Sequence, residues 1–220
     1  MLTSAAEDYL KVIYKLQDSN RAGTTNAIAE RMDVSPAAVT NMMKKLAEMG
    51  LVQHIPYQSI SLTDTGQKIA LEIIRHHRLL EVYLAEAMGY GWDEVDEEAE
   101  RLEHVISEAF EDRIDALLGY PEFDPHGAPI PRKDGTIEKR DHISLGAVEP
   151  GGSVTVRRVR DSEPDLLRYL GQLGLRPDTI VEILSKEPFD GPLHIRIGNV
   201  EHHVGRQVAN SVWVEALEQP

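Results

Sequence analysis

The spacing of apolar residues predicts helices in the first part of the chain and short strands in the last. Apolar positions at helical spacing predict helices over residues 3–18, 24–31, 36–49, 64–88 and 93–115. Alternating residues predict short strands at 51–55 and 59–62, and β-branched runs predict strands at 153–159, 179–184, 193–197 and 212–217. One short helix, residues 164–173, lies among the later strands, which together suggest a small barrel. The Pro-, Gly- and charge-rich stretch 120–145 predicts a connector with little regular structure.

The second and third predicted helices form a helix-turn-helix pattern. Thr24 or Thr25 can cap the first of them, and Ser35 caps the next with Pro36 at its first position. The two short strands that follow complete the pattern of a winged helix, a DNA-binding fold. The two amphipathic helices after the wing cannot bury their apolar faces alone, which favours a helical dimer interface.

Residues 93–115 contain no Gly or Pro and predict a single acidic helix. Its apolar stripe consists of Val95, Ala99, Leu102, Ile106 and Phe110. Beside the stripe, within an arc of about 100°, lie Asp96, Glu100, Glu103 and His104. Three carboxylates and an imidazole beside a buried face favour a bound divalent cation, but a solvated acidic face explains the same pattern.

Composition limits the ligand types available to a metal and indicates the cellular compartment of the protein. The chain has no cysteine, so a metal must be held by oxygen and imidazole ligands, which suit Mn²⁺ or Fe²⁺. The net charge is −14, but residues 1–72 carry seven Lys/Arg against eight Asp/Glu, so DNA binding by this part is tolerable. Neither a membrane-spanning apolar run nor a signal peptide is evident, so we expect a cytoplasmic protein with no membrane partner.

Six stretches in chain order resemble the metal-dependent transcriptional regulators of the diphtheria toxin repressor and manganese transport regulator family. They are Glu7-Asp8-Tyr9-Leu10, Ser35-Pro36-Ala37-Ala38-Val39-Thr40, Leu62-Thr63-Asp64-Thr65-Gly66, His77-Arg78-Leu79-Leu80-Glu81, Glu98-Ala99-Glu100-Arg101-Leu102-Glu103-His104 and Gly127-Ala128-Pro129-Ile130-Pro131. The resemblance implies a mainly α fold with a small β part, in three domains. They are a winged helix-turn-helix at 1–72, a helical dimerisation and metal-binding domain with connector at 73–143, and an SH3-like, FeoA-type barrel at 144–220.

The resemblance also implies two metal sites. The primary site would consist of Asp8, Glu100, Glu103 and His104. Glu100 stands where iron-responsive members have cysteine, so the resemblance favours Mn²⁺ over Fe²⁺. The ancillary site would consist of His77, Glu81 and Asp96, with Asp161 or Glu163 as the candidate oxygen ligand from the third domain. Lys11 stands where some manganese regulators with a two-metal cluster have glutamate, which favours two separate sites.

The expected function is a manganese- or iron-responsive repressor of metal uptake genes. A homodimer would bind a palindromic double-stranded DNA operator, and the metal would fix the angle between winged helix and dimer core. The residues expected to face DNA are Ser35, Pro36, Ala37, Thr40 and Lys44, with Tyr57 and Ser59 in the wing. Two alternatives remain: a winged-helix regulator that senses a small molecule, and a carboxylate-bridged metalloenzyme.

Overall fold

The computed structural model describes residues 2–19, 22–53, 59–138 and 140–217. The chain forms two compact units. The first comprises Met1–His77, Arg101–Glu111 and Pro131–Ile137, and the second comprises Arg78–Glu100, Asp112–Ile130 and Glu138–Pro220. Each unit has an apolar core of its own. The three-domain division stays a prediction.

The first unit begins with the predicted helix-turn-helix and wing. The elements are α1 (Ser4–Asp18), α2 (Thr25–Met32), α3 (Pro36–Glu48), β1 (Val52–Gln53) and β2 (Ser61–Leu62). The caps are Thr3, Thr24 and Ser35, each of which accepts a hydrogen bond from a backbone N–H three residues on. Asp33 ends α2 in the left-handed conformation at φ 51° and makes the tight turn to α3. The strands β1 and β2 pair antiparallel, and the loop between them at 54–58 lies outside the described residues.

The long fourth helix is present as α4 (Asp64–Glu86), but the single acidic helix predicted over 93–115 is wrong. The chain instead forms α5 (Val95–Leu102) and α6 (Glu108–Leu117), separated by residues 103–107. Ser107 starts α6, since its side-chain oxygen accepts a hydrogen bond from the Phe110 N–H at 3.3 Å. The predicted apolar stripe therefore ends early: Val95 and Ala99 are buried, whereas Phe110 is exposed.

The second unit contains a six-stranded antiparallel sheet with strand order β3-β8-β4-β5-β6-β7. Its elements are β3 (Ile143–Ser144), β4 (Ser153–Val159), α7 (Pro164–Leu173), β5 (Ile180–Lys186), β6 (Leu193–Ile197), β7 (Val200–Val204), α8 (Arg206–Ala209) and β8 (Val212–Ala216). The apolar face of the sheet packs with α7 around Val156, Leu170 and Ile195. The prediction missed β7, because its sequence Val-Glu-His-His-Val is mostly polar and its pairing with β6 is fixed by the turn at Gly198.

The predicted connector holds more structure than its composition indicates. Phe123 and Pro129 form an isolated β-bridge, and β3 pairs with β8. A 3₁₀ turn at Leu145–Ala147 follows β3. Across the described residues, no helix combines the length and the apolar character that crossing a membrane requires.

Gly127 provides a test of how tightly the connector packs on β4. Its φ is +85°, and an added Cβ would lie 1.9 Å from the carbonyl oxygen of Arg157. Gly119 has a similar φ of +73°, but no atom of the described residues lies within 4 Å of such a Cβ, so it serves as the matched control. Positive φ alone costs a non-glycine residue about 1–2 kcal/mol. We therefore expect Gly119→Ala to lower the free energy of unfolding by that amount and Gly127→Ala by roughly 4 kcal/mol or more, measured by urea denaturation. Equal losses would show that the close approach is unimportant.

Candidate metal centres and DNA-binding helix

Asp8, Glu103 and His104 come together in the first unit and are here called the amino-terminal cluster. One ligand atom from each lies within 4.8 Å of the others. Asp8 projects from α1, and the other two lie at the break between α5 and α6. His104 Nε2 is 2.9 Å from Asp8 Oδ1 and 3.3 Å from Glu103 Oε1. The break in the acidic helix is therefore the place where the Glu103 and His104 side chains meet α1.

Glu103 is the buried member of this cluster, with a fully inaccessible side chain. Lys11 Nζ donates to one carboxylate oxygen at 2.5 Å, and His77 Nδ1 is 2.6 Å from the other. Burial by itself would raise the pKa of Glu103, but the hydrogen bond with His77 and the charge of Lys11 hold it below its ordinary value. Glu103 is therefore a buried, ionised carboxylate held by Lys11 and His77.

Glu7 is a neighbour of the cluster that the sequence analysis did not name as a site residue. Its Oε2 is 2.7 Å from Nδ1 of His104, so the His104 ring lies between the Glu7 and Asp8 carboxylates of α1. A carboxylate that accepts a hydrogen bond from one ring nitrogen fixes the tautomer and leaves the other nitrogen for a metal. The signal was available, because consecutive residues on a helix point about 100° apart and can flank one ring.

Glu100, the fourth residue predicted for the primary site, lies on the last turn of α5 with an exposed side chain. It belongs to the second compact unit. Its role as a ligand stays a prediction.

Glu81, Asp124 and His126 form a second group in the second unit, here called the buried cluster. All three are at most 5% exposed, and one ligand atom from each lies within 4.8 Å of the others. Asp124 and His126 sit on a tight turn in which the Gly127 N–H donates to the Asp124 carbonyl at 3.0 Å. The Val159 N–H of β4 donates to the His126 carbonyl at 2.9 Å and anchors the turn to the sheet.

The carboxylates of the buried cluster favour positive charge in their midst, as the pKa values of its members show. His126 Nε2 donates to the Trp92 carbonyl at 2.7 Å, while its Nδ1 lies 3.5 Å from Glu81 Oε1. Burial opposes protonation, but the nearby charged carboxylate of Glu81 prevails and raises the pKa of His126 to about 9. Burial, then the charge of Glu81, raises the pKa of Asp124 to about 6. Positive charge is thus supplied here by a proton on His126 and by Arg78, whose Nε lies 3.5 Å from Asp124 Oδ2.

The remaining residues predicted for the ancillary site lie at different distances from this cluster. Asp96, half-buried on α5, has a carboxylate oxygen within 4.8 Å of one from Glu81. Asp161 follows β4, and its charge contributes to the raised pKa of Asp124. Glu163 is exposed at the start of α7 and makes no side-chain cap hydrogen bond. Asp124 and His126 were missed, although an Asp and a His two residues apart in a Pro/Gly-rich turn are a usable signal.

Both clusters fit a divalent cation by their donors. Each offers two carboxylates and one imidazole, which suit hard or borderline cations such as Mn²⁺ and Fe²⁺. In the buried cluster, Asp124 Oδ2 and His126 Nδ1 make no hydrogen bond with any residue that the structure describes. Buried polar atoms are normally hydrogen-bonded, so these two are candidates for metal ligation.

The residues predicted to face DNA lie on the accessible side of α3. Ser35, Pro36, Ala37 and Lys44 are exposed, and Thr40 is half-buried with its hydroxyl donating to the Pro36 carbonyl at 2.9 Å. Val39, Met43 and Leu46 hold the opposite side of the helix in the core. Ser59 is exposed after the wing loop, and Tyr57 lies outside the described residues. The helix thus presents a small, polar and basic face, as expected for a recognition helix.

Comparison with known proteins matches three models that together span most of the chain. Residues 1–60 match the iron dependent repressor N-terminal DNA binding domain, and residues 63–132 match the iron dependent repressor metal binding and dimerisation domain. Residues 143–216 match the FeoA domain. The iron-dependent repressor IdeR of Mycobacterium tuberculosis is 31% identical over an alignment of 231 positions that covers 98% of this chain and 99% of that protein. The chain belongs to the family of metal-dependent transcriptional repressors.

Other relatives agree with this membership. The diphtheria toxin repressor of Corynebacterium glutamicum is 34% identical over 228 residues, covering 99% of this chain and 98% of that protein. A manganese-dependent transcriptional repressor solved in complex with manganese superposes with a TM-score of 0.89 at 40% identity, over 96% of this chain and 100% of that one. The crystal structure of ScaR with bound Cd²⁺ gives a TM-score of 0.81 at 37% identity, over 96% and 99% of the two chains.

Family membership confirms the main expectations from the sequence. The protein is a metal-responsive, DNA-binding transcriptional repressor with a divalent metal cofactor, and it acts as a homodimer on DNA. The fold is confirmed as a DNA-binding domain, a helical dimerisation domain and a FeoA domain. The family consists of repressors rather than enzymes, so the metalloenzyme alternative is excluded, and metal replaces the small molecule as the sensed species.

A buried ion pair near the amino-terminal cluster makes the metal-free protein sensitive to acid. Arg75 Nε donates to Glu111, and Arg75 Nη1 donates to the Pro131 carbonyl at 2.8 Å. Burial alone would raise the pKa of Glu111, but His76 and Arg75 lower it to about 2 from an ordinary 4.5. A lowered folded-state pKa gives stability that is present above pH 4.5 and is lost as pH falls toward 2.

We therefore expect Glu111→Gln to cost about 3 kcal/mol at pH 7, because it leaves Arg75 without its charged partner. The difference from the unaltered protein should shrink as pH falls from 4.5 toward 2. Urea denaturation of the metal-free proteins at several pH values measures the loss of stability and its pH dependence. Glu122→Gln is the control at an exposed glutamate. A pH-independent difference for Glu111→Gln would contradict the lowered pKa.

Proposed function

We propose that this protein is a manganese-responsive repressor of metal uptake genes, acting in the cytoplasm on a palindromic operator. The observation that carries the proposal is the contact of Asp8, on the first helix of the DNA-binding domain, with Glu103 and His104 of the metal-binding domain. Mn²⁺ is favoured over Fe²⁺ because Glu100 offers a hard carboxylate where the resemblance places a cysteine in iron-responsive members. The similarity to a manganese-dependent repressor solved with manganese supports the same choice.

The proposed primary ligands are Asp8, Glu103 and His104, with Glu100 as the fourth. A bound divalent cation supplies positive charge that offsets the repulsion among these carboxylates. Asp8 then holds α1 against the segment that follows α5, and Glu7 orients the His104 ring from its other nitrogen. Lys11 and His77 keep the buried Glu103 ionised and aimed at the cluster. Because α1 packs against α2, fixing α1 fixes the helix-turn-helix.

We propose a second ion in the buried cluster, bound by Glu81, Asp124 and His126 with Asp161 as a further oxygen ligand. Support comes from the burial of the first three groups and from the influence of Asp161 on the pKa of Asp124. Asp96 stays a predicted ligand beside Glu81. His77, predicted for this site, is proposed instead to support Glu103, with which it makes a 2.6 Å contact. Glu163 is exposed and is not proposed as a ligand.

On DNA, the α3 residues Ser35, Pro36, Ala37, Thr40 and Lys44 are proposed to enter the major groove. Small side chains at the start of the helix leave room for thymine methyl groups, and Lys44 suits a phosphate contact. Tyr57 and Ser59 are proposed to contact the flanking backbone. In a homodimer two such helices would read half-sites one helical turn, about 34 Å, or a multiple of it apart, which is why the operator is expected to be palindromic.

The primary centre is tested by Asp8→Asn, which keeps the shape of the side chain and removes its charge. A palindromic duplex selected from random DNA by the Mn²⁺-loaded protein serves as the probe in fluorescence anisotropy. Mn²⁺ should tighten binding by the unaltered protein at least tenfold, about 1.4 kcal/mol, and the variant should lose most of this gain. Asp18→Asn, exposed at the end of the same helix, is the control and should keep it. Equal DNA affinity with and without Mn²⁺ in the unaltered protein would end the proposal.

The buried cluster is tested separately by Glu81→Gln. Because the amide cannot balance a cation, the variant should bind one Mn²⁺ per chain fewer than the unaltered protein in equilibrium dialysis. Thermal melting of the metal-free variant checks that it folds. An unchanged number of bound ions in a folded variant would show that this cluster is structural and that His126 and its carboxylates only pair with one another.

A further inference from the structure

A third group of ligating side chains lies apart from both proposed centres, in the first unit. Glu72 and His76 are one turn apart on α4, and Glu108 begins α6. One ligand atom from each lies within 4.8 Å of the others. Glu72 and Glu108 are exposed at the surface, while the His76 side chain is 6% exposed. The group, here called the His76 cluster, is thus an imidazole at the base of two accessible carboxylates.

His76 is held in the orientation of a metal ligand. Its Nδ1 lies 3.1 Å from the Glu103 carbonyl, so this nitrogen carries the hydrogen and donates it. Its Nε2 is buried and makes no hydrogen bond with any described residue. That nitrogen is 4.0 Å from Glu108 Oε1 and 3.4 Å from Glu111 Oε2. Ligating histidines characteristically donate their second N–H to a carbonyl or carboxylate in this way.

Space for an ion and its waters is present beside the cluster. A cavity of about 400 Å³ is lined by the carboxylates Glu72, Glu108 and Glu111 and by the basic residues Arg132 and Lys133, among others. Glu111 is committed to Arg75, so Glu72 and Glu108 are the carboxylates available to a ligand. Glu72 and Glu108 line the cavity and also approach the His76 ring, so a hydrated cation in the cavity would lie beside the two carboxylates of the cluster.

We propose that Glu72, His76 and Glu108 form a third divalent-cation site, accessible from solvent and distinct from the two proposed centres. Two carboxylates and one imidazole, completed by water, suit Mn²⁺ and similar first-row cations. The site ties α4 to the start of α6. It also adjoins the amino-terminal cluster through Glu103, whose carbonyl accepts the His76 N–H while its side chain belongs to that cluster. Occupancy of this site would therefore brace the segment that carries Glu103.

Lys133 sets the affinity of the site. Its Nζ lies 3.9 Å from both Glu108 and Glu111, and the side chain is 45% exposed. An ion must share Glu108 with this ammonium group or displace it toward solvent, which weakens binding. The site is thus expected to fill at higher Mn²⁺ concentration than the other two.

The test compares Mn²⁺ binding to the full-length metal-free protein and to the double variant Glu72→Gln with Glu108→Gln. Equilibrium dialysis at saturating Mn²⁺ should show one ion per chain fewer in the double variant. The control is Glu30→Gln with Glu48→Gln, which removes the same charge from exposed positions on α2 and α3 and should keep the full number. Lys133→Gln should raise the Mn²⁺ affinity of the His76 cluster, the weakest of the three sites, several-fold. Crystals soaked in Mn²⁺ should show an anomalous peak between Nε2 of His76 and the two carboxylates.

Equal ion numbers in the unaltered protein and the double variant, or anomalous peaks elsewhere with none at His76, would overturn the proposal. Both substituted residues are exposed, and a thermal melt confirms that the variant folds. Failure here is distinguishable from failure of the proposed function. The double variant leaves Asp8, Glu103 and His104 intact, and the proposed function fails only if DNA affinity does not depend on Mn²⁺.

Discussion

The buried carboxylate of Glu103 is the constraint on which the first unit depends. A charge out of contact with water is costly unless it is paired and hydrogen-bonded. Lys11 from α1 and His77 from α4 supply this pairing, so three separate parts of the chain are held at one point. The same requirement ends α5 at Leu102, because Glu103 must turn inward to reach its partners. The position of α1, and with it the DNA-binding helices, follows from how this one negative charge is neutralised.

The two proposed centres differ in their surroundings, and this difference suggests different roles. The amino-terminal cluster joins a helix to a turn, and its Asp8 and His104 remain partly accessible. Loss of the ion there leaves carboxylates that repel one another across two elements, which suits a switch. The buried cluster is enclosed on a turn that is hydrogen-bonded to β4. A raised His126 pKa lets a proton supply the positive charge there, so this region keeps its geometry without metal.

The residues of the proposed primary site sit in local patterns that the sequence makes recognisable. Glu103 and His104 lie in an acidic segment beside an apolar stripe, and Asp8 was named through the resemblance of the chain to a family. Asp124 and His126 were not predicted, because they lie in a connector whose composition suggests only a turn. Their burial depends on β4, a strand about thirty residues further along the chain. His76 was passed over because the interpretation of α4 followed the His77–Glu81 spacing.

The sequence by itself determined the local elements: the caps Thr24 and Ser35, Pro36 at the start of α3, and the apolar positions of most helices and strands. These depend on interactions within a few residues, which composition and spacing record directly. Tertiary structure alone decided where the acidic helix breaks, that β7 joins the sheet, and which charged side chains are buried. Helix propensity favours continuing the helix through residues 103–107, but propensities differ by only about a few tenths of a kcal/mol per residue. Leaving the buried Glu103 without its charged partners would cost far more free energy than that. The partners Lys11 and His77 are distant in sequence, so no local pattern could reveal that balance.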